Sequence, residues 1–299
     1  MNNVAKFIKE NSGPIISVLL VITLITFSNY FSKKNPEIKQ STKERLTLKK
    51  EVGNQNKFPE IKISAKSAIV YDYSRSEVLF QKNSEAELPL ASLTKLMTVL
   101  ISESNGQEVV NFNLNKKTKW NKKDLERYTL MTSSNEAALA LAQSVNGEGN
   151  KDFVTLMNNK AKESGLRQTF FVNPTGLDVS SSYSGGYGSA YDTALLIGSV
   201  ASFDSSVFSK TREKDDNFSS LSGEKYLAIN TNPYSYKMPW LIGSKTGYTD
   251  LAGGNLAVIF DLGINHKIGI VVLGSSKEGR FEDVTNLYKA TFDYFDKED

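Results

Sequence analysis

Apolar residues recur along the chain with two periods, which predict strands at both ends of the folded part and helices between them. Runs rich in β-branched and aromatic residues predict five strands, at 67–73, 77–81, 240–246, 255–262 and 267–273. Short connections, such as the turn at 263–265, make neighbouring strands antiparallel. The two early strands and the three late ones can therefore share one sheet.

Between the early and late strands, the apolar spacing changes to that of helices. In the segment 92–102, leucine and methionine fall at positions i, i+3, i+4 and i+7, which places them on one buried face. The run 135–145 predicts a helix buried on most sides, and 189–200 predicts another with a capping box at its start. A final amphipathic helix ends near Phe295. We expect an α+β fold: a five-stranded antiparallel sheet flanked by helices, with an inserted helical block beside it.

The N-terminal part of the chain has a different character. No charge falls between Glu10 and Lys33, and the apolar window 14–31 is just long enough to cross a bilayer. We expect residues 1–31 to be a membrane anchor, with a cleaved signal peptide as the alternative, although no A-x-A cleavage site follows. Residues 32–62 are polar and lysine-rich, which predicts a tether to a folded domain at 63–299.

Composition excludes several kinds of chemistry. The 299 residues include no cysteine and one histidine, with 36 basic and 33 acidic residues. Thiol nucleophiles, disulfides and paired-histidine metal sites are excluded, so we expect no metal and no other cofactor. The even charge balance offers no argument for nucleic acid. A Ser-His-Asp triad would have to use His266, which lies in a polar turn, so a hydrolase here would take a lysine or a carboxylate as its base.

Two serine–lysine pairs have the i, i+3 spacing that makes side chains neighbours on a helix, Ser92/Lys95 and Ser222/Lys225. A lysine within hydrogen-bonding reach can activate a serine as a nucleophile. Only the first pair opens an amphipathic helix, whose positive end favours an attacking alkoxide. The alternative is that Ser92 merely starts the helix and that Lys95 is a solvated charge.

A Ser-x-Asn motif, Ser133-Ser134-Asn135, precedes the second helix. Ser133 and Glu136 have capping-box spacing, so Ser133 could cap this helix, a role compatible with catalysis. The other copy, at 144–146, is typical of a helix end.

The third motif, Lys245-Thr246-Gly247, occurs once, at the end of a predicted strand. Lysine and threonine on a strand edge can bind a carboxylate, and glycine lets a substrate backbone come close. An ordinary strand-end turn is the alternative. The order of the three motifs, each in a fitting element, is far more specific than any one of them.

With these motifs, the chain resembles the D-alanyl-D-alanine carboxypeptidases, the low-molecular-weight penicillin-binding serine peptidases. The resemblance runs from about Ala68 to Phe295. It rests on PLASLTKLMT around Ser92, LMTSSNEAALALA around Ser133, FVNPTGLD from Phe171, GSKTGYTDLAGGNLA from Gly243 and VVLGSSKEGRFEDVTNLY around Arg280. It implies the β-lactamase/DD-peptidase-like fold.

The resemblance also implies a role for each matching residue. Ser92 would be the acylated nucleophile, with Lys95 as its neutral base. Ser133 and Lys245 would relay a proton to the leaving amine. The backbone N–H groups of Ser92 and Tyr248 would form the oxyanion hole. Lys245 would help to hold the terminal carboxylate, and the substrate-binding residues would be Asn135, Thr246, Gly247, Tyr248 and Arg280.

The activity implied is removal of the terminal D-alanine from peptidoglycan stem peptides outside a bacterial membrane, with β-lactams as inhibitors that acylate Ser92. A DD-endopeptidase uses the same residues and remains open, as does a non-catalytic wall-binding homologue. A class A β-lactamase is disfavoured because no E-x-x-L-N motif lies between Ser133 and Lys245. Only 41 residues separate Ser92 from Ser133, so we expect part of the helical block, or the strands embedded in it, to be missing.

Overall fold

The computed structural model describes residues 57–114, 116–146 and 151–297. The predicted anchor and most of the predicted tether lie outside these residues and stay predictions. Lys57–Asp299 forms one compact unit, in which Phe58 and Ile61 pack against the core. The folded unit thus includes the last six residues that the sequence assigned to the tether. None of the helices in the described ranges is both long and apolar enough to span a membrane.

The described ranges contain twelve strands and six α-helices. The strands are β1 (Ser67–Asp72), β2 (Glu77–Lys82), β3 (Leu88–Pro89), β4 (Val109–Asn113), β5 (Lys117–Asn121), β6 (Phe170–Phe171), β7 (Gly186–Gly188), β8 (Asp215–Ser219), β9 (Lys225–Ile229), β10 (Leu241–Thr249), β11 (Gly253–Asp261) and β12 (Lys267–Ser275). The helices are α1 (Lys95–Asn105), α2 (Lys122–Thr132), α3 (Asn135–Asn146), α4 (Lys151–Glu163), α5 (Ala190–Asp204) and α6 (Gly279–Phe295). Short 3₁₀ turns lie at Ala91–Thr94, Ser205–Arg212 and Ser235–Lys237.

The centre of the fold is a five-stranded antiparallel sheet with the order β10-β11-β12-β1-β2. The N-terminal hairpin joins the late strands through β1, where Val70 lies opposite Ile270 of β12. This arrangement confirms the predicted sheet and the α+β fold. It also leaves β10 as an edge strand, and the 3₁₀ turn Ala91–Thr94 packs against it.

Both faces of the sheet are covered, because alternate residues of each strand point to opposite sides. On β12, Ile270 and Val272 belong to the core under α6, whereas Val271 and Leu273 belong to the core under the helical block. This double coverage explains why the late strands are apolar at almost every position.

The interval between Ser92 and Ser133 differs from expectation. It contains the hairpin β4–β5 and the helix α2, so embedded strands are present despite its short length. The hairpin is held by aromatic packing: the Trp120 ring lies 5.4 Å from the Phe112 ring and 5.1 Å from that of Tyr226 on β9. A second hairpin, β8–β9, therefore packs beside the first.

Candidate active site

Ser92 lies in the 3₁₀ turn that leads directly into α1, with its side chain half-buried. The residue before it, Ala91, has φ 48°, a left-handed conformation that costs a non-glycine residue on the order of 1 kcal/mol. Asn255 of β11, which is fully buried, holds this backbone in place. Its Nδ2 donates to Pro89 O at 2.9 Å and to Leu90 O at 3.1 Å, while its Oδ1 accepts from Gly274 N at 2.8 Å.

The loop 173–176 packs against the same turn from the other side. Asn173 Oδ1 accepts hydrogen bonds from Thr175 N at 3.0 Å and Gly176 N at 2.8 Å, which folds the loop tightly. Gly176 has φ +76°, and a Cβ on it would lie 1.9 Å from Ala91 O. Only glycine fits here, and the close contact directs the Thr175 carbonyl toward Lys95.

Lys95 makes three hydrogen-bonding contacts through its Nζ atom. Ser92 Oγ lies at 2.9 Å, Asn135 Oδ1 at 2.7 Å and Thr175 O at 2.7 Å. The two oxygens of Asn135 and Thr175 can only accept. A neutral amine has two N–H groups for these two acceptors and one lone pair that can accept the Ser92 hydroxyl proton. The contacts therefore suit a neutral Lys95 acting on Ser92.

The electrostatics favour the same protonation state. Lys95 is fully buried, and this burial lowers its pKa from 10.5 to about 7. The negative charge of Glu136 acts in the opposite direction and raises the pKa of Lys95. A substantial share of molecules therefore carries an unprotonated Lys95 near pH 7.

The sequence allowed Ser133 both to cap α3 and to take part in catalysis. In the structure, Ser134 forms the cap and Ser133 contacts Lys245. Ser134 caps α3: its Oγ accepts from Ala137 N at 3.1 Å and donates to Glu136 Oε2 at 2.9 Å. The alternative that Ser133 caps this helix is therefore wrong. Ser133 instead ends α2 in a left-handed conformation, φ 61°, which turns its hydroxyl toward Lys245.

Lys245, on the edge strand β10, is also buried. Its Nζ donates to Ser133 Oγ at 2.7 Å and to Thr246 O at 2.8 Å. Burial lowers the pKa of Lys245 well below its usual value, and the positive charges of Lys95 and Arg280 lower it further. Two lysines thus lie in one small site, and the positive charge of Lys95 lowers the pKa of Lys245.

Thr246 points to the same side of the site. Its Oγ1 donates to Thr231 Oγ1 at 2.7 Å, and Thr231 is tied to α2 through Met131 O. Thr231 is a site residue that the sequence motifs did not indicate. Thr246 and Lys245 lie next to each other on this strand edge, where the sequence predicts a carboxylate site.

The edge of β10 passes very close to the nucleophile. A Cβ on Gly247 would lie 2.9 Å from Leu90 O and 3.3 Å from Ser92 N. Arg280 Nη1 donates to Gly247 O at 2.7 Å, so this arginine holds the backbone of β10 in place. Tyr248 follows, with its side chain 44% exposed at the rim of the site.

The competing motifs lie elsewhere. Ser222 is in the β8–β9 turn, where its Oγ donates to Glu224 Oε2 at 2.6 Å, and Lys225 begins a strand. His266 Nε2 lies 2.8 Å from Asp72 Oδ2, in a pair that includes no serine. Among the described residues, no group of histidine and acidic side chains is arranged to hold a metal.

This fold and the two serine–lysine pairs at its site define a class of serine hydrolase. The chain matches the profile of the S11 peptidases, D-alanyl-D-alanine carboxypeptidase, over residues 52–106 and 100–277. It therefore belongs to this family, which confirms the resemblance seen in the sequence.

Individual relatives agree with this assignment. A D-alanyl-D-alanine carboxypeptidase of Bacillus subtilis is 30% identical over 79% of this chain, which spans 64% of that relative's length. A D-alanyl-D-alanine endopeptidase of Escherichia coli is 32% identical over 75% of this chain and 76% of its own. The ampicillin-bound penicillin-binding protein D2 of Listeria monocytogenes is structurally similar, with a TM-score of 0.68 and 28% identity, over 78% of this chain and 99% of that one.

Proposed function

We propose that this chain is a serine DD-peptidase that cleaves the D-Ala-D-Ala bond of peptidoglycan stem peptides through an acyl-enzyme on Ser92. The observation that carries the proposal is the contact set of Lys95. Two pure acceptors and one hydroxyl surround a buried amine whose pKa is lowered to about 7. Such an amine can take a proton from Ser92.

Acylation begins when Ser92 Oγ attacks the carbonyl carbon of the scissile bond and transfers its proton to Lys95 Nζ. Negative charge develops on the carbonyl oxygen and is stabilised by the backbone N–H groups of Ser92 and Tyr248. Arg280 and Gly247 hold the strand edge that carries the second of these donors.

Departure of the amine requires a proton at its nitrogen. Ser133 Oγ, which is hydrogen-bonded to Lys245 Nζ, supplies this proton to the leaving D-alanine, and the proton that Lys95 took from Ser92 replaces the one that Ser133 and Lys245 have given up. Lys95 is then neutral again and can act as a base a second time. The carboxylate of that D-alanine is held by Lys245 and Thr246, while Asn135 binds the acyl side of the substrate. Water then attacks the ester, with Lys95 as base, and regenerates Ser92.

The test is intact-protein mass spectrometry with and without benzylpenicillin, followed by digestion of a terminal D-Ala-D-Ala pentapeptide. We expect one persistent adduct on Ser92, release of D-alanine, and loss of both in Ser92→Ala. Penicillin labelling or peptidase activity that survives in Ser92→Ala would refute the assignment. Consumption of the drug without an adduct would indicate a β-lactamase, and no adduct with intact drug a non-catalytic homologue.

Residues 1–31, the predicted anchor, bear on where the enzyme acts. We propose that residues 1–31 hold the chain in the membrane of a bacterial cell, with the catalytic domain outside. The full chain should then sediment with membranes and resist extraction by salt, whereas residues 57–299 should stay in solution. A full chain released by salt alone would contradict the anchor.

A further inference from the structure

A groove with a volume of about 670 Å³ lies between the helix α3 and the strand β4. One wall is a face of α3, which contributes Glu136, Leu139 and Gln143. The other wall is the whole length of β4, together with Lys117 at the start of β5. The proton transfers at Ser92 do not use this groove, so its purpose has to be sought in binding.

The groove begins beside the reacting groups. Glu136 directly follows Asn135, whose Oδ1 lies 2.7 Å from Lys95 Nζ. Glu136 Oε2 also accepts a hydrogen bond from Ser134 Oγ at 2.9 Å. Since a helix rises 1.5 Å per residue, Gln143 lies roughly 10 Å farther along α3. The groove therefore extends away from the site by about the length of three residues of extended chain.

The strand wall presents free backbone groups. Among the residues that the structure describes, β4 pairs only with β5. Lys122 N donates to Glu108 O at 2.9 Å at the base of this hairpin, and hydrogen-bonded pairs alternate along an antiparallel ladder. The N–H and C=O groups of Val109, Asn111 and Asn113, which line the groove, therefore point away from β5. Such an edge can bind an extended peptide as an added strand.

The charges in the groove restrict the kind of peptide that fits. Glu136 and Lys117 carry opposite charges, and both side chains are exposed. An amine on the bound peptide can pair with Glu136, and a carboxylate can pair with Lys117. Leu139 and Val109 add aliphatic surface for the stems of long side chains. The groove thus suits an extended peptide that has both a basic and an acidic group.

We propose that this groove is a subsite for the acyl part of the substrate, an extended peptide that carries an amine and a carboxylate beyond its D-Ala-D-Ala end. The inference rests on the proposed function, in which Asn135 binds the acyl side. The residue before D-Ala-D-Ala then lies at Glu136, and the preceding residues lie along β4. The chemistry at Ser92 is the same for every substrate, and the groove determines how well a longer peptide binds.

The test compares two substrates in the full chain: the pentapeptide L-Ala-γ-D-Glu-L-Lys-D-Ala-D-Ala and the acetylated tripeptide L-Lys-D-Ala-D-Ala. The tripeptide lacks the carboxylate that pairs with Lys117. In Lys117→Glu, we expect kcat/KM for the pentapeptide to fall about fivefold, mainly through KM, with the tripeptide value unchanged. Lys119→Glu is the matched control, because this lysine is exposed on the same strand and does not line the groove. It should change neither value.

The substrate supplies a second control. When the D-Glu carboxylate of the pentapeptide is converted to an amide, Lys117→Glu should no longer lower kcat/KM. An equal fall for both peptides, no change for the pentapeptide, a fall that persists with the amide, or an equal effect of Lys119→Glu would each overturn the proposal. Failure of the proposed function is distinct, because benzylpenicillin would then not acylate Ser92 and neither peptide would be cleaved.

Discussion

The rate at which penicillin acylates Ser92 should rise with pH, with a midpoint near 7. Only the neutral form of Lys95 can accept the Ser92 proton, and burial lowers the pKa of this lysine from 10.5 to about 7. At pH 7 a lysine with the ordinary value is neutral in about 1 molecule in 3,000, whereas one with a pKa of about 7 is neutral in about half. The burial thus raises the reactive fraction roughly 1,500-fold.

Glu136→Gln provides the perturbation that tests this reasoning. The Glu136 carboxylate stabilises the charged form of Lys95 and raises its pKa, so removal of the charge should move the midpoint to lower pH. At pH 6, below the midpoint of the native enzyme, the variant should therefore be acylated faster. Glu163→Gln, at the end of α4, is the control and should leave the profile unchanged.

The assay is the second-order rate of labelling by a fluorescent penicillin between pH 5 and 9. Below pH 6 the rate should rise about tenfold per pH unit, and it should level off above pH 8. A profile without pH dependence, or one with a midpoint near 10, would refute the role of a neutral Lys95. A midpoint that moves upward in Glu136→Gln would refute the electrostatic argument.

Four further substitutions test the framework of the site. Ser134→Ala should lower the free energy of unfolding by about 1 kcal/mol through loss of the α3 cap, whereas Ser133→Ala should leave thermal stability nearly unchanged and stop turnover. Asn255→Ala should slow penicillin acylation roughly tenfold, with the circular dichroism spectrum retained, because the backbone before Ser92 loses two hydrogen bonds. Gly176→Ala should cost about 2 kcal/mol or more in urea unfolding, since its φ is +76° and its Cβ would collide with Ala91 O. Equal melting temperatures for the two serine variants, native acylation in Asn255→Ala, or native stability in Gly176→Ala would contradict the respective argument.

The sheet and the main site residues were predictable for a common reason. Strands covered on both faces are almost wholly apolar, and helices with one buried face repeat with a clear period, so β10 to β12 and α1 stand out in the sequence. The motifs around Ser92, Ser133 and Lys245 lie at the ends of such elements. The structure brings these side chains to one site, as the order of the motifs indicated.

Other features depend on contacts that the sequence does not display. Thr175 contacts Lys95 through its backbone carbonyl, and Thr231 contacts Thr246, which lies 15 residues further along the chain. The sequence did not show which of Ser133 and Ser134 caps α3, because both are serine and the position of each permits a cap. Asn255 did carry a signal: a polar side chain inside an apolar strand must find hydrogen-bond partners when buried.

The hydrogen bonds of the site also span long stretches of chain, which has a consequence for protein engineering. Lys95 reaches Asn135 and Thr175 across 40 and 80 residues, and Lys245 reaches Ser133 across 112. A chain cut in the exposed turn at 221–223 would leave the nucleophile on one fragment and Lys245 on the other. Neither fragment alone contains the site, so penicillin labelling would report when the two halves associate, and the enzyme offers a split reporter with a covalent readout.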